Sequence, residues 1–187
     1  SWRKPVLATA VSHAFLALAL VSHLRPARPS RGLYLAATVL AMAPDLDVIG
    51  FAFGIEYGDL WGHRGVTHSL FFAILFCLPV SAWLARGESR VVERRRLIIH
   101  QWLLLTICMF SHGLLDMLTN GGLGIALWSP FDTGRYFLPF TPLQVSPIGL
   151  QGWTGPVGLQ VMRSELLWVI LPCIGMILLS RVTRSST

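Results

Sequence analysis

Five apolar runs, each near the roughly 20 residues that a helix needs to cross a hydrocarbon core, dominate what this chain can fold into. They cover about residues 5–24, 33–53, 66–85, 97–118 and 164–182. In lipid a segment must satisfy its own backbone N–H and C=O groups, which for isolated runs means helix. The pattern predicts an all-α, polytopic membrane bundle of about five spans, built as one domain over residues 1–187. The first run follows Arg3 and Lys4 in the manner of a signal peptide. No small-residue cleavage site follows it, so it reads as a helix. Pro44 interrupts the second run and should end or kink that helix.

Charge supports the same class. Charged residues make up 13% of the chain and hydrophobic ones 53%, whereas soluble domains carry about a quarter charged residues. The net charge of +6 comes from arginines grouped between the apolar runs, the pattern of cytoplasmic membrane loops rather than of a nucleic-acid surface. Arg25, Arg28 and Arg31, then Arg86, Arg90 and Arg94–Arg96, then Arg181 and Arg184, all fall on one side of five alternating spans. That puts residues 45–65 and 119–163 outside, with Arg3 and Lys4 also outside, against the rule. Cys77, Cys108 and Cys173 each lie in an apolar run without metal-ligand spacing, and read as free packing residues.

Against this background the stretch PDLDVIGFAFGIEYGDLWGHRGVTHS, residues 44–69, stands out. Ionisable side chains are costly in hydrocarbon and mark functional sites. Here Asp45, Asp47, His63 and His68 cluster, and Ser111-His112-Gly-Leu-Leu-Asp116 adds an imidazole and a carboxylate four apart on one helical face. Counted at about 1.5 Å per residue, Asp45, His112 and His13 reach similar depth in the outer half of the membrane, beside His68. Seven candidate ligands (His13, Asp45, Asp47, His63, His68, His112, Asp116) exceed one tetrahedral zinc and suit two or three ions. Oxygen and nitrogen donors of this kind accept zinc, with manganese or iron(II) as alternatives.

The segment 119–163 is long for a loop and rich in Gly, Pro and aromatics. Such loops are usually functional, and Trp128, Tyr136, Phe137 and Trp153 suit the headgroup layer. It is expected to cover the site as a partly re-entrant lid.

Through Ser12-His13, Pro44-Asp45-Leu46-Asp47, His63-Arg64-Gly65-Val66-Thr67-His68-Ser69, Ser111-His112 to Asp116, Thr119, Gly122 and Ser129-Pro130-Phe131, extending to Ser164-Glu165-Leu166, the chain resembles the LexA-regulated, membrane-bound metal-dependent hydrolases. That family is distantly similar to zinc-dependent phospholipases C and single-strand nucleases, which cleave phosphoesters with three zinc ions. In those enzymes the amine of an N-terminal Trp is a ligand. Trp2 here precedes a membrane helix, which speaks against a third ion. The resemblance implies a hydrolase of a membrane lipid, acting at a phosphoester with a metal-activated water. Asp47, if not a ligand, would be the general base. Arg64 and Arg135 would grip a phosphate by the guanidinium fork. Glu165, at the outer end of the last helix, would be a ligand or proton shuttle, and Asn120, Trp128 and Asp132 would touch a headgroup.

Two other classes compete. A diiron lipid hydroxylase needs more histidines in clustered boxes facing the cytoplasm. A metal-ion transporter would line a path open to both faces with its polar groups. The expected setting is the inner membrane of a bacterium with the site facing outward; oligomeric state is not legible.

Overall fold

The computed structural model describes residues 6–7, 9–24, 29–147 and 155–185. It is an all-α membrane bundle. Helix α1 spans Ala10–Leu24, α2 Arg31–Met42, α3 Leu70–Leu84, α4 Val91–Met117, α5 Pro156–Glu165 and α6 Leu171–Ser185. A π turn, Leu166–Ile170, joins α5 to α6 without a break, so the described residues form five rods. Four of them are long and apolar enough to cross a bilayer, and α1 is a shorter apolar helix. Arg3, Lys4, Arg25, Arg28 and Trp153 lie outside the described residues.

The second span shows how sequence sets local form. Ser30 begins it, its Oγ accepting from the Leu33 N–H, which satisfies one of the donors a helix start leaves free. The α-helix stops at Met42, two residues before Pro44, because proline has no N–H for the carbonyl four residues back and its ring crowds that carbonyl. The chain does not turn away there. It continues as a 3-10 helix, Ala43–Phe53, until Gly54 at φ 80° stops it. The tighter winding of this segment carries Asp45 and Asp47.

Three other boundaries differ from expectation. Helix α4 starts at Val91 and takes in Arg94–Arg96, because exposed arginines and Glu93 are good helix formers that need no lipid. The last rod starts at Pro156 rather than 164, with Pro at the first helical position, where its missing N–H costs nothing. The first starts at Ala10, later than expected.

The core joins α1, α2, α3 and α4 through Ala17, Val21, Leu33, Leu40, Leu105 and Met109, all buried. Small residues let these backbones approach, which lipid-embedded helices need for dispersion contact. Helix α6 packs on α1 through Ala19, Val169 and Cys173. Cys77, Cys108 and Cys173 are free and buried, as expected.

Over one end of the bundle, residues 118–145 fold back on the loop 54–68. Bridges Thr119–Leu143 and Ile125–Tyr136 hold the segment to itself. The Ala126 N–H donates to the Arg64 carbonyl and the Leu70 N–H to that of Leu127. A two-residue pairing of β1, Val6–Leu7, with β2, Ser146–Pro147, closes its far end.

Candidate metal centre

Gly113 sets how closely the lid can approach. A Cβ there would lie 2.9 Å from the His68 carbonyl oxygen and 2.9 Å from Ile125 Cδ1. With none, the 3-10 turn Val66–His68 and the lid both close onto α4 beside His112. Three segments thus bring their polar side chains to one buried point: Asp45 from the second span, His68 from the turn before α3, and His112 with Asp116 from α4.

The distances among these four are those of a ligand shell. His68 Nε2 and His112 Nε2 are 3.1 Å apart. Asp45 Oδ1 is 3.2 Å from His112 Nε2 and 3.6 Å from His68 Nε2. Asp116 Oδ2 is 3.5 Å from His68 Nε2 and 3.8 Å from His112 Nε2. Ligands about 2.0–2.1 Å from a tetrahedral zinc stand roughly 3.3–3.4 Å from one another, the middle of that range.

The protons strengthen the argument. His112 Nδ1 is 2.7 Å from the Ala41 carbonyl oxygen, which can only accept, so Nδ1 carries the hydrogen and Nε2 a lone pair. His68 Nδ1 lies 3.0 Å from Thr67 Oγ1, whose own hydroxyl donates to Asp47 Oδ2 at 2.8 Å. Nδ1 of His68 is therefore the donor and its Nε2 also faces inward with a lone pair. Asp45 Oδ1 and both oxygens of Asp116 have no hydrogen-bond partner. Four lone-pair atoms this close repel unless a cation or a proton lies among them. These residues fit a divalent ion.

Charge agrees with chemistry. Asp45, Asp47 and Asp116 are countered inside the cluster by Arg64, whose Nε is 3.0 Å from Asp116 Oδ2. With neutral imidazoles this leaves two negative charges, which one divalent cation balances.

Asp47 lies one layer out. Its Oδ1 accepts from His63 Nδ1 at 2.7 Å, and its Oδ2 from Thr67 Oγ1 and the Arg64 N–H at 3.2 Å, with His68 Nδ1 also 3.2 Å away. Asp47, His63 and His68 are close enough to hold an ion, and Nδ1 of both rings lies within 3.2 Å of the carboxylate. This is the carboxylate–histidine arrangement that orients metal ligands. His63 turns its unpartnered Nε2 elsewhere, edge-on to Tyr57 at a centroid distance of 5.1 Å. His13 lies on the inner side, stacked on His112 at 3.7 Å with its Nε2 3.9 Å from Asp116 Oδ1. Both His13 nitrogens are buried and unpartnered.

The expected substrate-binding residues fare differently. Arg64 has no exposed surface. Besides its ion pair with Asp116, its guanidinium donates to the Gly121 carbonyl at 2.9 Å and Thr119 Oγ1 at 3.1 Å, so the fork is spent on the protein's own groups rather than facing a phosphate. Its φ of 62° is a left-handed conformation few non-glycine residues adopt, held by this over-determined setting. Arg135 donates to the carbonyls of His63, Tyr57, Gly58 and Asp59, pinning the loop to the lid. Asn120 bonds Gln144 and the Val145 N–H inside the lid. Trp128 and Asp132 are on the lid's outer surface. Asp132 accepts from the Tyr136 hydroxyl and the Gly134 N–H, which hold its carboxyl below the usual range. Glu165 lies at the last α-helical position before the π turn, not at an outer helix end. It is buried and accepts from the N–H and hydroxyl of Thr9, capping α1 rather than reaching the cluster. The longer last rod explains the shift.

Sequence reading missed Tyr57 and Thr9. Burial raises the Tyr57 phenol above its ordinary value, and Arg64 offsets part of this. The GIEYGD context offers no signal for it, and Thr9 is recognisable only once Glu165 faces it.

A polytopic helical membrane protein with a buried His/Asp cluster of metal-ligand geometry is the class that fold and site define. The chain belongs to the YdjM inner membrane protein family, whose profile matches residues 8–186. It is 40% identical over 179 residues to the inner membrane protein YbcI of Escherichia coli (strain K12), covering 91% of this chain and 94% of that one. No solved structure matches the chain.

Proposed function

We propose that this protein is a metal-dependent hydrolase of a membrane lipid, cleaving a phosphoester in the manner of a phospholipase C or a lipid phosphatase. The observation that carries the reading is the tetrad of Asp45 Oδ1, His68 Nε2, His112 Nε2 and Asp116 Oδ2, which converge in a buried space while Nδ1 of each ring is turned outward to another partner. The resemblance of its motifs to LexA-regulated, membrane-bound metal-dependent hydrolases supports it.

Asp45, His68, His112 and Asp116 would hold the ion, zinc by donor type, with manganese or iron(II) also accepted by such ligands. When bound, such an ion supplies an acidified water and a Lewis acid for a phosphoryl oxygen. His13 Nε2 and the second Asp116 oxygen, both unpartnered, are a partial shell for a second ion. Asp47 fixes the ring orientation of His63 and His68. Arg64 is ion-paired with Asp116 and anchors it, in place of the phosphate-gripping role its sequence position suggested. A wholly protein-made tetrad also describes a structural ion. What favours catalysis is Asp45, whose side chain alone of the four reaches the surface, at 15% exposure against none for the others. A site facing the extracytoplasmic side is the reading that the arginine-rich loops at the opposite ends of the spans favour.

The test is to purify the protein, count its metal, and incubate it with a total lipid extract while following headgroup release by mass spectrometry. Metal-dependent release of a phosphorylated or dephosphorylated headgroup is expected. Oxygen-dependent modification of acyl chains with iron bound would overturn hydrolysis.

A further inference from the structure

Exposed apolar residues run along both halves of the second span: Leu35, Val39 and Met42 three or four apart on α2, then Leu46 and Ile49 three apart on the 3-10 turns, with Phe53 at their end. The stripe runs the whole length of a segment apolar enough to cross the bilayer, Arg31–Phe53. Leu46 is 64% exposed and Phe53 80%. Asp45, the one tetrad side chain with surface, follows three residues after Met42, in line with it on the 3-10 turn, and stands next to Leu46. Counted from Arg31, with 1.5 Å per α-helical residue and about 2 Å per 3-10 residue, Asp45 stands roughly 22–24 Å along the span. That depth is within a hydrocarbon core about 30 Å thick. Beyond Asp45 the surface stays apolar through Ile49 and Phe53. On the opposite side the lid and loop 54–68 seal the cluster with buried Ile125, Ala126 and Arg64.

We infer that the metal centre opens sideways into the bilayer. Lipid reaches Asp45 between Met42 and Leu46, from the acyl-chain side rather than from water through the lid. The proposal rests on the hydrolase reading for its chemistry but not for its geometry. A water-soluble substrate would have to pass the Arg135 and Arg64 ties that hold lid and loop together, whereas a lipid in the adjacent leaflet meets only two flexible apolar side chains. Met42 and Leu46 are then specificity-determining positions, because their bulk sets what can approach Asp45. The competing occupant of a three-four stripe is a second copy of the chain. Such a copy would cover Asp45 and leave the tetrad closed.

The experiment uses the whole protein in liposomes containing a trace of phospholipid with a photoactivatable diazirine near its glycerol end. After irradiation, cross-linked peptides are mapped by mass spectrometry. Adducts should be enriched several-fold at Met42–Ile49 over Leu178 and Leu179 of α6, which are similarly exposed. Leu46→Trp should remove that enrichment while leaving metal content unchanged. Adducts spread evenly over α2 and α6 would overturn the proposal. So would protein–protein cross-links through the stripe, or enrichment that survives Leu46→Trp. Because the readout is adduct position, it holds whether or not any phosphoester is cleaved. Enrichment at Met42–Ile49 without headgroup release would sustain the lateral opening and defeat the hydrolase reading. Headgroup release without enrichment would do the reverse.

Discussion

Asp116 is the residue on which the site turns. One oxygen meets His68, His112 and Arg64 while the other faces His13. Its buried negative charge is tolerable only with Arg64 beside it. Breaking a buried pair from one side leaves an uncompensated charge and costs about 3–5 kcal/mol. Arg64→Ala should therefore lower unfolding free energy in detergent by about that amount. Arg64→Lys should recover little, since one ammonium cannot reach Asp116, Gly121 and Thr119 in fork geometry. Asp47 invites a subtler test. Asp47→Asn keeps the shape but weakens the hold on His63 and His68, and loss of such outer partners typically lowers metal affinity ~10–100-fold. Competitive chelator titration of the folded variant measures it. The residue types were readable in the sequence because carboxylates and imidazoles stand out against hydrocarbon. Which of them converge on one point was not. Asp45 and Asp47 look alike two residues apart, and only the carbonyl of Ala41 and the hydroxyl of Thr67 fix which ring nitrogen faces inward.

At the level of elements, helix ends carry most of what the sequence could foretell. Ser69 opens α3 with its Oγ accepting from the Phe72 N–H, and Ser69→Ala should cost about 1 kcal/mol without loss of metal. Gly113 is a stronger constraint. With 2.9 Å to both the His68 carbonyl and Ile125, Gly113→Ala overpacks the junction, at a typical cost of about 1–3 kcal/mol. It should also push His68 out of the tetrad, so metal affinity and thermal stability should fall together. The apolar runs gave the number of spans. They could not give the 3-10 continuation past Pro44 or the early start of α5, because exposed arginines and a proline at a helix start are silent in a hydropathy reading.

For the molecule as a whole, lid and bundle meet beside the cluster, with Ile125 against Gly113 and the Ala126 N–H on the Arg64 carbonyl, so metal, lid closure and stability should be linked. An ion that binds the folded state alone stabilises it by mass action, and a chelator should lower the unfolding temperature of the wild type but not of a variant that lacks the site. Acid should act in the same direction, since protons compete for the Nε2 atoms of His68 and His112 and metal retention falls as those nitrogens are taken. Arg135, which read as a phosphate clamp, belongs to this scale. It ties four loop carbonyls to the lid, a role invisible before the two segments are brought together.

Elemental analysis of the purified protein beside His68→Ala and Asp116→Ala tests the central claim most directly. The tetrad predicts at least one divalent ion per chain in the wild type and its loss in both variants while each remains folded. Wild-type metal content in both variants would contradict it, as would a folded wild type that binds none.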